Sequence, residues 1–138
     1  MRRARRGDAE TALVLEAVAP DGYAGPIRLV LGVKADGEIL AVRILEHRET
    51  PGLGDPIEAE RSDWIQRFSS LALGRPPLPA WRVQRDGGEF DQFAGATVTP
   101  RAVVGAVRRA LQFIDKHAAE LYAAVPGSVL EFGDGPET

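Results

Sequence analysis

Two segments carry residues whose types and spacing could do chemistry. The first is Glu46-His47-Arg48-Glu49-Thr50-Pro51-Gly52-Leu53-Gly54-Asp55. Two glycines around a leucine let backbone N–H and C=O groups come close to a planar ligand, and Leu53 can offer its methyl groups to a ring face. The same residues also fit an ordinary turn with Pro51 and Gly52 at its corner. The second is Asp91-Gln92-Phe93-Ala94-Gly95-Ala96-Thr97-Val98-Thr99-Pro100, just ahead of a long helical pattern. A helix N-terminus presents unpaired N–H groups and the positive end of the macrodipole, so a phosphate attached there meets donors already in place. Gly95 with the small Ala94 and Ala96 leaves room for such a group beside the Thr97 hydroxyl. Read without a ligand, Thr97 and Thr99 are a loop residue and a helix cap.

The rest of the composition narrows the chemistry. There is no cysteine among the 138 residues, which excludes disulfides, thiolate metal sites and cysteine nucleophiles in this chain, so redox chemistry requires a cofactor. The two histidines, His47 and His117, fall in different predicted elements, and no metal site is expected. A net charge of −3 provides no basic field for a nucleic acid. The 44% apolar and 27% charged shares are those of a globular domain. Four arginines open the chain, but Gly7, Asp8 and Glu10 follow where an apolar run would have to begin. As given, the chain is expected neither to span nor to enter a membrane. Residues 1–10 read as a flexible basic tail, or as a contact for anionic lipid or a neighbouring subunit.

The elements that must position the two segments are legible from pattern. Thr11 to Val18 and Pro26 to Val33 read as strands separated by a turn at residues 19–22. Asp36-Gly37 then joins the second to a strand from Glu38 to Glu46, with Ile39, Ala41, Arg43 and Leu45 on one face and Leu40, Val42 and Ile44 on the other. From Ile57 to about Leu71 the spacing of Trp64, Ile65, Phe68 and Leu71 predicts a helix. The prolines at 76, 77 and 79 stop regular structure, and a short strand from Ala80 to Gln84 and a turn at Asp86-Gly87-Gly88 follow. Thr99 as N-cap and Pro100 as first residue predict a helix running to about Ala124, closed by Pro126-Gly127. Its apolar stripe includes Val103, Val104, Val107, Leu111, Ile114, Ala118, Leu121 and Tyr122. Together these predict an α+β domain over residues 11–130, with an antiparallel, strongly twisted sheet of hairpins packed on helices, a long C-terminal helix and a frayed tail at 131–138. No dinucleotide fingerprint is present.

The run DQFAGATVTPRAVVGAV resembles the flavinylation motif Dxx(S/T)GAT of the FMN-binding family that includes RnfG and NqrC, and HRETPGLGD resembles that family's flavin-facing loop. GYAGPI, the Asp-Gly hairpin and SDWI match as well, so the resemblance covers residues 21–113 and fits the RnfG branch better than NqrC. It implies FMN joined through its phosphate to Thr97 by a separate flavin transferase acting on FAD. Nothing near Thr97 in the sequence looks like a base or metal cradle able to activate the hydroxyl, which agrees with an external enzyme. Glu49, Thr50, Gly52, Leu53 and Gly54 would line the isoalloxazine ring, with Gly95 and Ala96 beside the attachment point. Asp91 would be read by the transferase or serve a turn. No residue is needed as a catalytic acid or base: the chain would be an electron carrier within an ion-translocating Rnf-type complex at the outer, periplasmic face of the cytoplasmic membrane, with the other subunits as partners. Two departures stand out. Ala94 replaces the usual hydroxyl residue, and the anchor such subunits carry ahead of this domain is not in the sequence, whether excised or lost. The alternatives are a domain that binds FMN reversibly or only docks onto partners, and a stand-alone flavin reductase, which would need nicotinamide access.

Overall fold

The computed structural model of the chain describes residues 2–5, 11–117 and 131–132. Its centre is an antiparallel meander of β2 (Thr11–Ala19), β3 (Ile27–Lys34) and β4 (Ile39–Glu46). Along β2 and β3 the pairs Leu13 with Val33, Leu15 with Leu31, Ala17 with Leu29 and Ala19 with Ile27 are all buried, so one face of the sheet is continuous core. The period-2 pattern makes this inevitable once the register is set. β1 (Arg2–Arg5) extends the sheet antiparallel to β2, and β5 (Glu131–Phe132) pairs parallel with β2 further along. Both short strands fall where flexible or frayed tails were expected: unpaired backbone groups on the edge of β2 provide the partners that composition does not reveal.

β4 departs from simple alternation. Val42 pairs with Leu31 and Ile39 with Val33, so one extra residue is accommodated between them, and a second irregularity lies between Arg28 and Leu29. The bulge turns both Ile39 and Val42 into the core and leaves Leu40 exposed, instead of placing Ile39 and Val42 on opposite faces.

The buried face is covered by α1 (Val98–Lys116). Val103, Val107, Ala110, Leu111 and Ile114 are buried at intervals of three and four, and the small Ala102 and Ala106 complete that face. A fully buried aliphatic side chain of this kind contributes about 1.5–3 kcal/mol. The expected stop near Ala124, the stripe residues from Ala118 on and Pro126-Gly127 lie outside the described residues. The helix begins two residues earlier than expected, with Thr97 at the N-cap position and Thr99 inside the first turn.

The segment between β4 and α1 contains no α-helix. Short 3-10 turns at Asp55–Ile57 and Trp64–Phe68 replace the helix expected over residues 57–71. The Ser62 hydroxyl donates to the Pro56 carbonyl at 2.8 Å and accepts the Trp64 N–H at 3.1 Å, diverting groups that a helix would have paired. Ser70, at φ 73°, then ends the segment, and its N–H bonds to the Ile39 carbonyl. The short strand expected at Ala80–Gln84 is likewise replaced by turns at Leu78–Ala80 and Gln84–Asp86 and a single bridge between Val83 and Phe90. The N–H groups of Ala80 and Trp81, which a strand would have used, turn back to the Pro77 and Leu78 carbonyls at 2.8 and 3.0 Å. The expected turn at Asp86–Gly88 is present, with Gly87 at φ 93°. Trp64, Phe68, Trp81 and Phe90 close this region as an aromatic cluster with ring centroids 5.0–6.1 Å apart.

Candidate functional site

Where β4 ends, Glu49 turns inward and is only 4% exposed. Its Oε1 accepts the Tyr23 N–H at 2.9 Å and the Thr99 hydroxyl at 2.5 Å, and its Oε2 accepts the Ala24 N–H at 2.9 Å. Three donors satisfy a carboxylate that would otherwise be costly to bury. One side chain thus ties together the 20–25 turn, the loop after β4 and the first turn of α1. Gly54 is packed against this pin: a Cβ there would stand 2.6 Å from Thr99 Oγ1 and 2.8 Å from Glu49 Cβ. The glycine is required for space, since its φ of −95° is open to any residue.

The loop closes on itself through Thr50, whose carbonyl accepts the N–H groups of Leu53 and Gly54, both at 3.0 Å. Asp55 is buried and accepts the Gly52 N–H at 2.9 Å. His47 braces the loop from behind. Its Nδ1 accepts the Glu49 N–H at 3.0 Å, so the ring hydrogen assigned by this network is on Nε2, facing Glu58 Oε2 at 2.5 Å. The hydrogen bond from His47 holds the Glu58 carboxyl below its ordinary value; burial opposes this and Arg61 adds to it.

The second segment is anchored by aromatic packing. Trp64 meets Phe93 edge-on at 5.3 Å, and its indole N–H donates to the Asp91 carbonyl at 2.9 Å. Ala96 N–H then closes a turn onto the Phe93 carbonyl at 3.1 Å, with Gly95 at φ 74°. That positive φ is why a glycine stands there. α1 starts at once. Thr97 makes no side-chain capping bond and is half-buried, so its hydroxyl is not engaged in holding the helix end.

The two segments, far apart in sequence, meet around a cavity of about 200 Å³. Of the residues expected to hold a ligand, Thr50, Leu53, Gly54, Gly95, Ala96 and Thr97 line it. Glu49 and Gly52 do not: Glu49 stands behind the wall as the pin, and Gly52 supports the turn. Tyr23, Val98 and Thr99 complete the lining and were not expected there, although Tyr23 belongs to the GYAGPI stretch already singled out. Thr99 lies in the wall because its hydroxyl serves Glu49 and not the helix cap. Tyr23 is 72% exposed, Leu53 43% and Val98 36%, three large apolar side chains left open around one cavity. Exposed apolar surface gathered at a concavity is the expected face of a ligand site.

Residues 22–112 match the FMN-binding domain family. The chain belongs to that family. Among curated proteins it is similar to the G subunit of the ion-translocating oxidoreductase complex of Shewanella oneidensis, at 52% identity over 81% of this chain and 53% of that protein. It is also similar to the corresponding G subunits of Cereibacter sphaeroides, at 53% over 89% of this chain and 56% of that protein, and of Pseudomonas aeruginosa, at 54% over 82% and 53%. The chain therefore spans about half the length of these relatives. In fold it resembles the crystal structure of Shewanella oneidensis NqrC, with a TM-score of 0.54 at 19% identity over 88% of this chain and 60% of that one. The α+β architecture expected from sequence is thus that of an FMN-binding domain. Among the described residues no helix is long and apolar enough to cross a membrane.

Proposed function

We propose that this FMN-binding domain carries one FMN through a phosphoester on Thr97 and relays electrons within a membrane-bound, ion-translocating complex of the kind its relatives are named for. The observation that supports this most is the position of the Thr97 hydroxyl: uncommitted to capping, beside the first turn of α1, in a cavity ringed by exposed Tyr23, Leu53 and Val98. The leading N–H groups of α1 suit a phosphate, and the apolar rim suits the faces of a tricyclic ring. FMN would supply one- and two-electron redox chemistry, while the domain sets its position and surroundings.

In this reading attachment is the work of a separate flavin transferase acting on FAD. Thr97 Oγ1 bonds to the phosphorus on the riboflavin side, the pyrophosphate linkage breaks, AMP leaves, and the hydroxyl proton passes to a base of the transferase. Thr50, Leu53 and Tyr23 would hold the ring, and Gly95 would allow close backbone approach. The domain would act at the outer face of the cytoplasmic membrane, with the other subunits of the complex as donors and acceptors.

Co-expression with a flavin transferase followed by intact mass measurement tests this. A mass increase equal to one FMN less water, with flavin fluorescence that survives denaturing electrophoresis, is expected for the unaltered chain and absent in Thr97→Val. Fluorescence persisting in that variant would refute Thr97 as the attachment point. Ala94, exposed in the turn ahead of Gly95, favours a second reading in which FMN is bound reversibly. An unmodified chain that still takes up free FMN supports it. If Ala94→Ser raises the modified fraction, the missing hydroxyl slows attachment without preventing it.

A further inference from the structure

A second concavity, of about 230 Å³, lies between α1 and the turn at residues 82–86. Four arginines line it, Arg82, Arg101, Arg108 and Arg109, against two acids, Asp21 and Asp86. In a chain of net charge −3 this is a marked local inversion. Asp86 is already committed, because Arg101 grips it through two hydrogen bonds of 2.7 and 3.0 Å. Arg108 is fixed along the wall by its bond to the Trp81 carbonyl at 2.8 Å. The other acid of the lining, Asp21, shares it with Arg82, Arg108 and Arg109. Burial, with Arg82 and Arg109 alongside, pushes the Arg108 guanidinium below its ordinary value. Like charges held together in this way favour a complementary anion.

The floor of the groove is Gly105, in the middle of α1, where glycine weakens a helix. A Cβ at this position would stand 3.1 Å from Arg109 Nη1 and 3.8 Å from Arg108 Nη2. The glycine gives the two guanidiniums room to lie over the helix. From Arg101 to Arg108 the groove runs about 10 Å along α1, the length of roughly three residues of extended chain. With the Arg101 fork closed on Asp86, Arg82, Arg108 and Arg109 still line the groove from two different elements, and positive charge spread in this way suits a row of carboxylates better than a single small anion.

We propose that this groove is a docking site for an acidic, carboxylate-rich segment of another protein. The groove shares no lining residue with the flavin cavity, although its near end at Arg101 stands only about 6 Å along the helix axis from Thr97, and its lining does not depend on how flavin is held. The test is fluorescence anisotropy of a labelled hexaglutamate peptide with the whole chain. Binding is expected to weaken steeply as salt rises. Arg82→Gln/Arg109→Gln should bind at least about tenfold more weakly while still accepting flavin, and the control Arg75→Gln should bind unchanged. Arg82→Lys, which keeps the charge and loses the fork, should fall between. Amide shifts on peptide addition should fall at residues 82–86 and 101–109. If the double variant does not fold, Arg82→Gln alone, at an exposed position, should still weaken binding severalfold. Failure of the unaltered chain to bind the peptide at low salt would overturn the proposal, as would equal binding by the arginine variants. Tighter binding of inorganic pyrophosphate, displacing the peptide, would also overturn it by assigning the groove to a small anion.

Discussion

The sheet with α1 and the segment that connects them, residues 47–97, are held by different physics. In the first, stability is spread over many interchangeable apolar contacts: Leu13, Leu15, Leu29, Leu31, Val103 and Val107 are all buried on one interface. In the second, regular backbone pairing is sparse, and shape depends on a few polar pins, Glu49, Asp55 and the Trp64 indole, together with one aromatic cluster. The candidate site lies where the two meet. A loop that must leave a cavity open cannot collapse to bury itself, so specific hydrogen bonds replace the missing packing.

The contrast can be broken most severely at the aromatic cluster, where the connecting segment does behave like a core. Trp81→Ala should cost about 3–5 kcal/mol in urea unfolding, because Phe68 and Phe90 lose their shared partner. Trp81→Phe should cost far less, since the indole N–H has no hydrogen-bond partner among the described residues. A large loss in both would mean that the cluster tolerates no change of shape. Next comes the pin. Glu49→Ala strands two backbone N–H groups and the buried Thr99 hydroxyl, and should cost about 2–3 kcal/mol. The same variant should take up flavin poorly, measured by absorbance after co-expression, because the Tyr23 turn and the helix entry are no longer joined. Normal flavin content would show that the pin serves stability alone.

Gly54→Ala separates space from conformation. The backbone there is ordinary, so the expected loss of about 1–3 kcal/mol arises only from the clash with Thr99 and Glu49. Unchanged stability would show that the first turn of α1 can shift. Tyr23→Ala should change stability by less than about 0.5 kcal/mol, since the ring is exposed, yet should make bound flavin more accessible to iodide quenching. The smallest effect concerns acid. The native Glu58 carboxyl titrates below its ordinary value of 4.5, mainly through the His47 hydrogen bond. Its contribution is therefore complete above pH 4.5 and is lost as pH falls through the lower native value. Glu58→Gln should flatten the fall in stability below pH 4.5, and an unaltered acid profile would remove the pair from the stability of the loop.

Legibility follows the same division. The β2–β3 face and the α1 stripe are readable because their periods of two and 3.6 are set by backbone geometry. For β4 alternation gives the ends to within a residue and the right faces from Ala41 on, but the bulge exchanges Ile39 and Leu40, and such a slip leaves no mark where neighbouring positions are both apolar. The 57–71 segment has helical spacing, but the Ser62 hydroxyl redirects its backbone through nearby Pro56 and Trp64, and Ser70 is held by Ile39, a partner distant in sequence. At the site, the glycine pattern and Thr97 are legible as types that permit close approach and carry a hydroxyl. Glu49 is legible as a site residue, though not as a pin whose donors come from Tyr23, Ala24 and Thr99.

The sequence by itself determined which stretches alternate, which stretch coils, and which residues could accept a planar, phosphate-bearing ligand, because these follow from side-chain type and local backbone preference. The tertiary structure decided that residues 50–54 and 95–99 share one cavity, that Thr99 serves a buried carboxylate instead of the helix end, and that four arginines share a groove beside α1. Those outcomes depend on contacts between residues tens of positions apart, and no local preference encodes them.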